Sequence, residues 1–281
     1  LFQNMVDDAS GNPPLTDASF TEFLPKIGIN YHWSEDISSS FIVQRGYRSG
    51  GIGTNIAQSS SHTYDAEYTN NYEISFRSVW LDSLLTFNAN AFYIDWQDQQ
   101  VEINLSTNQY DSETKNSGRS TVKGLESELS YQVTEQLNLY AGIGYADTKF
   151  NDFMIEVFGN TWNLAGLSFK GAPKWTANLG ASYRSDSGFN GNININYTGN
   201  SRAIANPFIG GLNEQDSNFN PRNDSRAIVN TRLGYQWQDF SLYLVGTNIF
   251  NQNYITSADT GLGNHTLGSP RQVTLRFEGQ F

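Results

Sequence analysis

The chain has 281 residues, with 17 Lys plus Arg against 28 Asp plus Glu and a formal net charge of −11, which disfavours nucleic acid as a partner. It has no cysteine, so disulfides, thiolate catalysis and thiolate metal sites are all excluded. Aromatic residues make up 14% while hydrophobic residues reach only 38% and mean hydropathy is −0.49. That is too many rings for a disordered chain, and there is no apolar run of the roughly 18 residues that a membrane helix needs.

What remains is β structure with two unlike faces. In chain order, period-two alternation predicts about eleven strands, at approximately 23–33, 37–47, 69–80, 84–97, 119–131, 137–149, 174–185, 189–200, 226–237, 240–251 and 270–281. Most approach the roughly 9–11 residues with which a tilted strand crosses a bilayer. The clearest is Phe189 to Tyr197. There Phe189, Gly191, Ile193, Ile195 and Tyr197 alternate with Asn190, Asn192, Asn194 and Asn196, so one face is amide and the other apolar. A soluble sandwich would show such a strand as well.

The connections alternate strictly between short and long. Tight turns fall at Ser34 to Asp36, Leu81 to Ser83, Gln132 to Gln136, Asp186 to Gly188, and Gln238 with Asp239. Long polar loops run from Arg48 to Tyr68, Asp98 to Gly118, Phe150 to Pro173, Asn200 to Ser225 and Gln252 to Ser269. Compact domains rarely carry so many loops beyond about 15 residues, whereas tight turns at one end and long loops at the other are the layout of an outer-membrane barrel. Trp33, Trp80, Trp96, Trp175 and Trp237 fall near predicted strand ends, as an interfacial girdle would place them. All seven prolines sit in loops or in a strand's first residues, where a missing amide donor is tolerated.

With the short turns on the periplasmic side, both the first and the last strand run inward from the exterior. Bacterial single-chain barrels have even strand numbers, and an open sheet edge in hydrocarbon leaves amides unsatisfied. The expectation is therefore that residues 1–20 are a remnant of an extracellular loop and that further strands precede it, a miscounted strand being the alternative.

Several residue groups resemble the C-terminal half of the barrel of TonB-dependent outer-membrane receptors, a family that includes siderophore receptors. They are Arg45-Gly46-Tyr47-Arg48-Ser49-Gly50-Gly51; Tyr72-Glu73-Ile74-Ser75-Phe76-Arg77-Ser78 followed by Phe92-Tyr93-Ile94-Asp95-Trp96; Gly124-Leu125-Glu126-Ser127-Glu128-Leu129; Ala172-Pro173; and Asn248-Ile249-Phe250-Asn251 with Tyr254. Gly268-Ser269-Pro270-Arg271 and the terminal Phe281 resemble the family's closing hairpin. The resemblance implies an all-β, antiparallel transmembrane barrel of which about eleven strands form half of a 22-stranded whole. It also implies a plug domain and a TonB box, neither of which can be located in this sequence, so TonB would be engaged only through the missing N-terminal part. The aromatic-terminated last strand would be read by the barrel assembly machinery.

The implied function is uptake of a scarce ligand across the outer membrane, above all a ferric siderophore, with outer-membrane lipid as the surrounding partner. A passive or structural barrel, a pore or adhesin, is the alternative. Loop aromatics available for ligand capture include Tyr64, Tyr68, Tyr110, Phe153, Phe158, Trp162, Phe169, Phe208, Phe219 and Tyr254, although each could instead pack one loop against another. Arg77, Arg184, Arg232 and Arg276 alternate with apolar neighbours and should face the lumen, to attract an anionic chelate or to pair with Glu73, Glu126 or Glu128. Glu126 and Glu128 share a face but read as barrel-wall acids rather than as a catalytic pair. His32, His62 and His265 lack ligand spacing, so no metal site and no resident cofactor are expected, and iron would arrive already chelated.

Overall fold

A computed structural model describes residues 21–106, 108, 110–157, 159–203, 222–259 and 264–279. Among these the regular structure is entirely β. The strands are β1 (Lys26–His32), β2 (Ile37–Arg48), β3 (Gly51–Asn55), β4 (Ser60–Tyr64), β5 (Glu67–Trp80), β6 (Leu85–Gln97) and β7 (Gln100–Asn104). Then follow β8 (Ser112–Asn116), β9 (Arg119–Gln132), β10 (Leu137–Asp152), β11 (Met154–Val157), β12 (Asn160–Asn163), β13 (Trp175–Arg184) and β14 (Phe189–Thr198). The last are β15 (Ser201–Arg202), β16 (Arg222–Asn223), β17 (Arg226–Trp237), β18 (Phe240–Thr247), β19 (Ile255–Asp259), β20 (Asn264–Leu267) and β21 (Gln272–Gly279).

Eleven of them form one sheet in the order β1-β2-β5-β6-β9-β10-β13-β14-β17-β18-β21, each antiparallel to its neighbours. These are the eleven strands expected from alternation. The sheet is not closed, because β1 and β21 each have a neighbour on one side only. The other ten strands form five two-stranded hairpins, one in each long connection, which the polar composition of the loops had concealed. Boundaries moved where backbone chemistry intervened. The strand expected to reach residue 251 stops at Thr247 because Asn248 and Asn251 take left-handed conformations (φ 49° and 53°). β10 runs on to Asp152, past the expected 149, through an irregularity between Phe150 and Asp152.

Register fixes which side chains share a face. Ile193 and Ile195 lie in rows with Ala181, Leu179, Thr231 and Val229, whereas Asn192, Asn194 and Asn196 align with Ser182, Gly180, Asn178, Arg232, Asn230 and Ile228. The first face continues across the whole sheet as Ile29, Phe41, Ile74, Ala91, Leu125 and Tyr145. It is exposed: Leu125 is 60% accessible, Leu179 57% and Ile74 57%. A face of this composition belongs against hydrocarbon.

Two aromatic belts bound this aliphatic band. Tyr72, Tyr93, Tyr145, Trp175 and Tyr197 mark the long-loop side. On the other side are Trp33, Trp80, Tyr183, Phe189, Tyr235, Trp237 and Phe277. Rings meet across strands, as in Tyr145–Trp175 at 4.7 Å and Phe240–Phe277 at 5.6 Å between centroids. From Phe189 to Tyr197 the span is about 27 Å along the strand at about 3.4 Å per residue. Tilted by about 40° this is about 21 Å, close to the ~25 Å apolar band of outer-membrane barrels. Trp96 departs from the expected girdle. Its position in β6 puts it on the opposite face, against Phe169 of the third long loop at 6.1 Å.

The opposite face is polar and tightly hydrogen-bonded. Asn230 Nδ2 and Asn196 Nδ2 donate to Asn194 Oδ1 at 3.1 and 2.7 Å, Asn194 Nδ2 to Asn192 Oδ1 at 3.2 Å, and Asn192 Nδ2 to Tyr140 Oη at 3.1 Å. The Tyr140 ring lies across Gly180, where any Cβ would overlap it. Adjacent residues of β13 should therefore respond oppositely to one change. Leu179→Arg, midway between the belts and lipid-facing, should destabilise the membrane-inserted fold by about 2–4 kcal/mol, and Asn178→Arg, on the wet face, by much less. Denaturant unfolding of the intact barrel in lipid measures both, and equal losses would contradict the assignment of faces.

Candidate functional site

Two regions carry polar and aromatic side chains suited to holding a ligand: the wall of the polar face and the cluster of long loops at one end. On the wall, the four arginines share the polar face, as alternation requires, but the expected ion pairs to Glu73, Glu126 and Glu128 do not form. Arg77 Nη1 instead donates to the backbone carbonyls of Phe76 and Ala89 at 3.2 and 3.3 Å. Glu126 and Glu128 border a recess with Arg77, Asn88 and Asn90 without an ion pair to the guanidinium. Asn90, with its amide oriented to satisfy both ends, donates to Ile74 O at 2.9 Å and to Glu73 Oε1 at 3.2 Å.

Arg184 and Arg232 converge elsewhere. Together with Glu135, Gln132, Asn138, Asn190 and Asn192 they line a polar recess of about 450 Å³ near the short turns. The Arg232 guanidinium stacks on the Tyr243 ring at 3.9 Å, which holds it in place without neutralising it. Arg276 stands apart on the edge strand β21, paired with Glu278 at 2.6 Å. The reason for the missing pairs is geometric. None of Glu73, Glu126 and Glu128 faces an arginine across the sheet: Glu128 is opposite Asn88 and Gly142, Glu126 opposite Asn90 and Gly144, and Glu73 opposite Ile42 and Phe92.

The loop cluster contains a dry core. Ile103, Phe150, Phe153, Ile155, Leu164 and Leu167 are buried together, with Val101, Leu105, Trp162 and Phe169 packed against them. Phe150–Phe153 and Phe150–Phe169 rings lie 5.0 and 4.8 Å apart. The second and third long loops are thus one apolar unit. Hydrogen bonds attach the first loop to it: Ala57 N donates to Tyr110 O at 3.1 Å, Asp65 N to Asn116 Oδ1 at 2.8 Å and Gln100 Nε2 to Ser49 O at 2.8 Å. At the centre of that junction Asn55 and Gln58 both donate to Asp111 Oδ1 at 2.8 Å. Hydrogen bonds from Asn55, Ser106 and Gln58 hold the Asp111 carboxyl below its ordinary value, against the opposing effect of burial.

The loop aromatics divide accordingly. Phe153 is in the core, and Phe169 and Trp162 pack on it. Tyr64 lies beside His62 in the first hairpin. Tyr68 is not in the loop but in β5, on the lipid-facing side with Tyr47 at 5.5 Å. Tyr254 is stacked under Arg226 at 5.0 Å. Tyr110, 56% accessible at the tip of the second loop, is the candidate most open to a ligand. Phe158, Phe208, Phe219 and the terminal Phe281 lie outside the described residues, as do residues 1–20. Sequence reasoning missed Asp111, Asn55 and the apolar core. A signal for the core existed in Val101, Ile103 and Leu105 alternating with Glu102 and Asn104.

Asp111→Ala leaves the buried Asn55 amide, and the exposed one of Gln58, without their acceptor. It should loosen the junction of the first two loops by about 1.5–3 kcal/mol, read as faster hydrogen exchange at Gln58 and Leu105. Because folding lowers the Asp111 pKa, its contribution is full above the ordinary value of 3.8 and fades as pH falls below it, so the wild type should lose the same protection only in acid.

Comparison with known proteins agrees with this architecture. Residues 3–249 match the family model described as TonB dependent receptor-like, beta-barrel. The chain is 28% identical over 225 residues to the ferric-pyoverdine M114 receptor PbuA of Pseudomonas sp. (strain M114), covering 75% of this chain and 24% of that protein. Its fold is similar to that of the ferric yersiniabactin uptake receptor FyuA from Yersinia pestis (TM-score 0.70, 18% identity, 92% of this chain and 37% of that one). It is likewise similar to FpvA of P. aeruginosa (TM-score 0.68, 17% identity, 95% and 34%). The chain thus spans about a quarter of the curated relative's length. TonB-dependent receptors of this kind are transport β-barrels of the Gram-negative outer membrane, and on the match across most of its length this chain belongs to that family.

Proposed function

We propose that this chain forms wall and outer vestibule of an outer-membrane receptor for TonB-dependent uptake of a ferric siderophore. The observation that carries this reading is the sorting of faces. One side of the sheet is aliphatic between aromatic belts, the other is amide and charge, and the long loops gather at one end. The relative PbuA, described as a ferric-pyoverdine receptor, supports the substrate class.

A bulky ligand would first meet the loop cluster, where Tyr110 offers an exposed ring on a base fixed by the Asp111 hydrogen bonds and the dry core. Beyond it the wall presents carboxamides, which bond to hydroxyl, amide or chelate oxygens without the strong desolvation cost of bare charge. Arg184 and Arg232, against the single acid Glu135, leave a recess of net positive charge deeper along the wall, suited to an anionic chelate. Iron is cargo in this reading. The unpaired sides of β1 and β21 carry a further proposal. Each amide left open in hydrocarbon costs several kcal/mol, so additional strands of the same cylinder should cover both edges. Energised gating through a plug and TonB belongs to the whole receptor and is assigned to no residue here.

Removing the intact receptor from its host should abolish uptake of one radiolabelled ferric chelate, and unchanged uptake of every chelate tested would defeat the substrate class. In the intact receptor, Arg184→Gln with Arg232→Gln should raise the half-saturating concentration of an anionic chelate about 2- to 5-fold, the effect of about 0.5–1 kcal/mol of exposed charge attraction. A neutral chelate should be unaffected, and an equal rise for both would show a structural rather than an electrostatic role.

A further inference from the structure

Of the three histidines, His32 and His265 are exposed and only His62 is half-buried. It stands on β4 opposite Gly53 of β3, and its ring lies across that glycine so closely that any Cβ there would overlap it. The bare glycine lets the ring reach the neighbouring loop. There β8 has a strand partner on one side only, and the Thr114 amide donates to His62 Nε2 at 3.0 Å. An imidazole thus fastens the first long loop to the second.

A backbone amide can only donate, so Nε2 must present its lone pair and the proton of the neutral ring must sit on Nδ1. Nδ1 is buried and meets no acceptor among the described residues. An imidazolium in this seat would turn one N–H against the Thr114 N–H and leave the other out of water with nothing to accept it. The seat therefore fits the neutral ring and not the charged one. The ionisable groups around it make no ion pair with the ring. On β4 they are Tyr64, with its ring centroid 6.4 Å away, and Asp65 just beyond the strand, while β3 carries none. On β8 Glu113 and Lys115 flank Thr114 and pair with each other at 2.6 Å, and Asp111 before the strand is held by Asn55 and Gln58. Glu102 of β7, opposite Thr114, accepts from Ser112 Oγ at 3.3 Å.

Resting on the vestibule reading above, we propose that His62 is a proton-operated latch. It joins the first two loops while its ring is neutral and lets them part when Nε2 takes up a proton. Histidine is the side chain whose charge changes between about pH 5 and 8, so the bond exists at the alkaline end of that range and is lost toward the acid end. The Asp111 junction is separate, because its carboxyl is held below the ordinary value of 3.8 and keeps its hydrogen bonds throughout. These loops lie on the outer side of the barrel, so the proton comes from the medium itself. A vestibule that is firm at neutral and alkaline pH is firm where ferric iron is least soluble and a chelate most needed.

The test is hydrogen exchange of the full-length receptor in detergent between about pH 8 and about pH 5, corrected for the intrinsic pH dependence of amide exchange. In the wild type the Thr114 amide should lose about ten-fold in protection as pH falls, the loss of one hydrogen bond, while Gln58 and Leu105 at the Asp111 junction keep theirs. His62→Gln offers a carboxamide oxygen in place of Nε2 and cannot take up charge, so it should hold Thr114 equally at both ends of the range. Gly53→Ala pushes the ring off its seat and should leave Thr114 unprotected at both. A flat wild-type profile, or a pH-dependent one that His62→Gln reproduces, overturns the latch. So does loss at Gln58 and Leu105 in step with Thr114, which would mark a general loosening in acid. Heat-dependent gel mobility reports whether each variant is folded; should His62→Gln not be, Gly53→Ala decides, since a pH-dependent profile there contradicts the proposal. The readout needs no ligand and is therefore independent of the uptake experiments that test the substrate class.

Discussion

Everything in this molecule follows from the need to pair backbone amides where no water can reach them. A strand in hydrocarbon has only its neighbours to bond with, and the eleven-strand meander meets that need through continuous antiparallel registers. Side chains are then free to serve two solvents, because alternate residues point to opposite sides. The aliphatic band with its belts answers to lipid, and the asparagine network answers to water. Neither face needs a dry interior, which is why the barrel wall supplies almost none of the buried apolar residues.

Among the described residues the one compact hydrophobic core lies in the loops, among Ile103, Phe150, Phe153, Ile155, Leu164 and Leu167. A long loop in water has neither lipid nor a sheet partner to order it, so it must build its own interior. The second and third loops do so jointly, and the first is attached through the carboxylate of Asp111. Three loops packed and hydrogen-bonded into one body suit capture of a bulky ligand, since little ordering entropy is left to lose on binding. Aromatics are abundant there, and among the described residues Phe150, Phe153, Trp162 and Phe169 are consumed in making that body.

The wall is less charged in effect than its composition suggests. Arg77 is held by carbonyl oxygens, Arg232 by the Tyr243 ring and Arg276 by a neighbour on the same strand, and Glu126 and Glu128 stand opposite the amides of Asn90 and Asn88. A lumen surface of this kind can exchange hydrogen bonds with a passing ligand without gripping it.

The amino-acid sequence by itself determined the eleven strands, their faces and the end at which the loops gather, because these depend on local alternation and turn chemistry. Phe189 to Tyr197 displays its two faces without reference to any other segment. Only the tertiary structure decided what depends on register between distant strands: that Glu126 meets Asn90 rather than Arg77, that Trp96 turns inward to Phe169 and that Tyr68 joins the lipid-facing belt. The same holds for Asp111, whose importance rests on Asn55 and Gln58 more than fifty residues away. A sequence shows which way a side chain points along its own strand, whereas its partner is set by a neighbouring strand that local alternation does not identify.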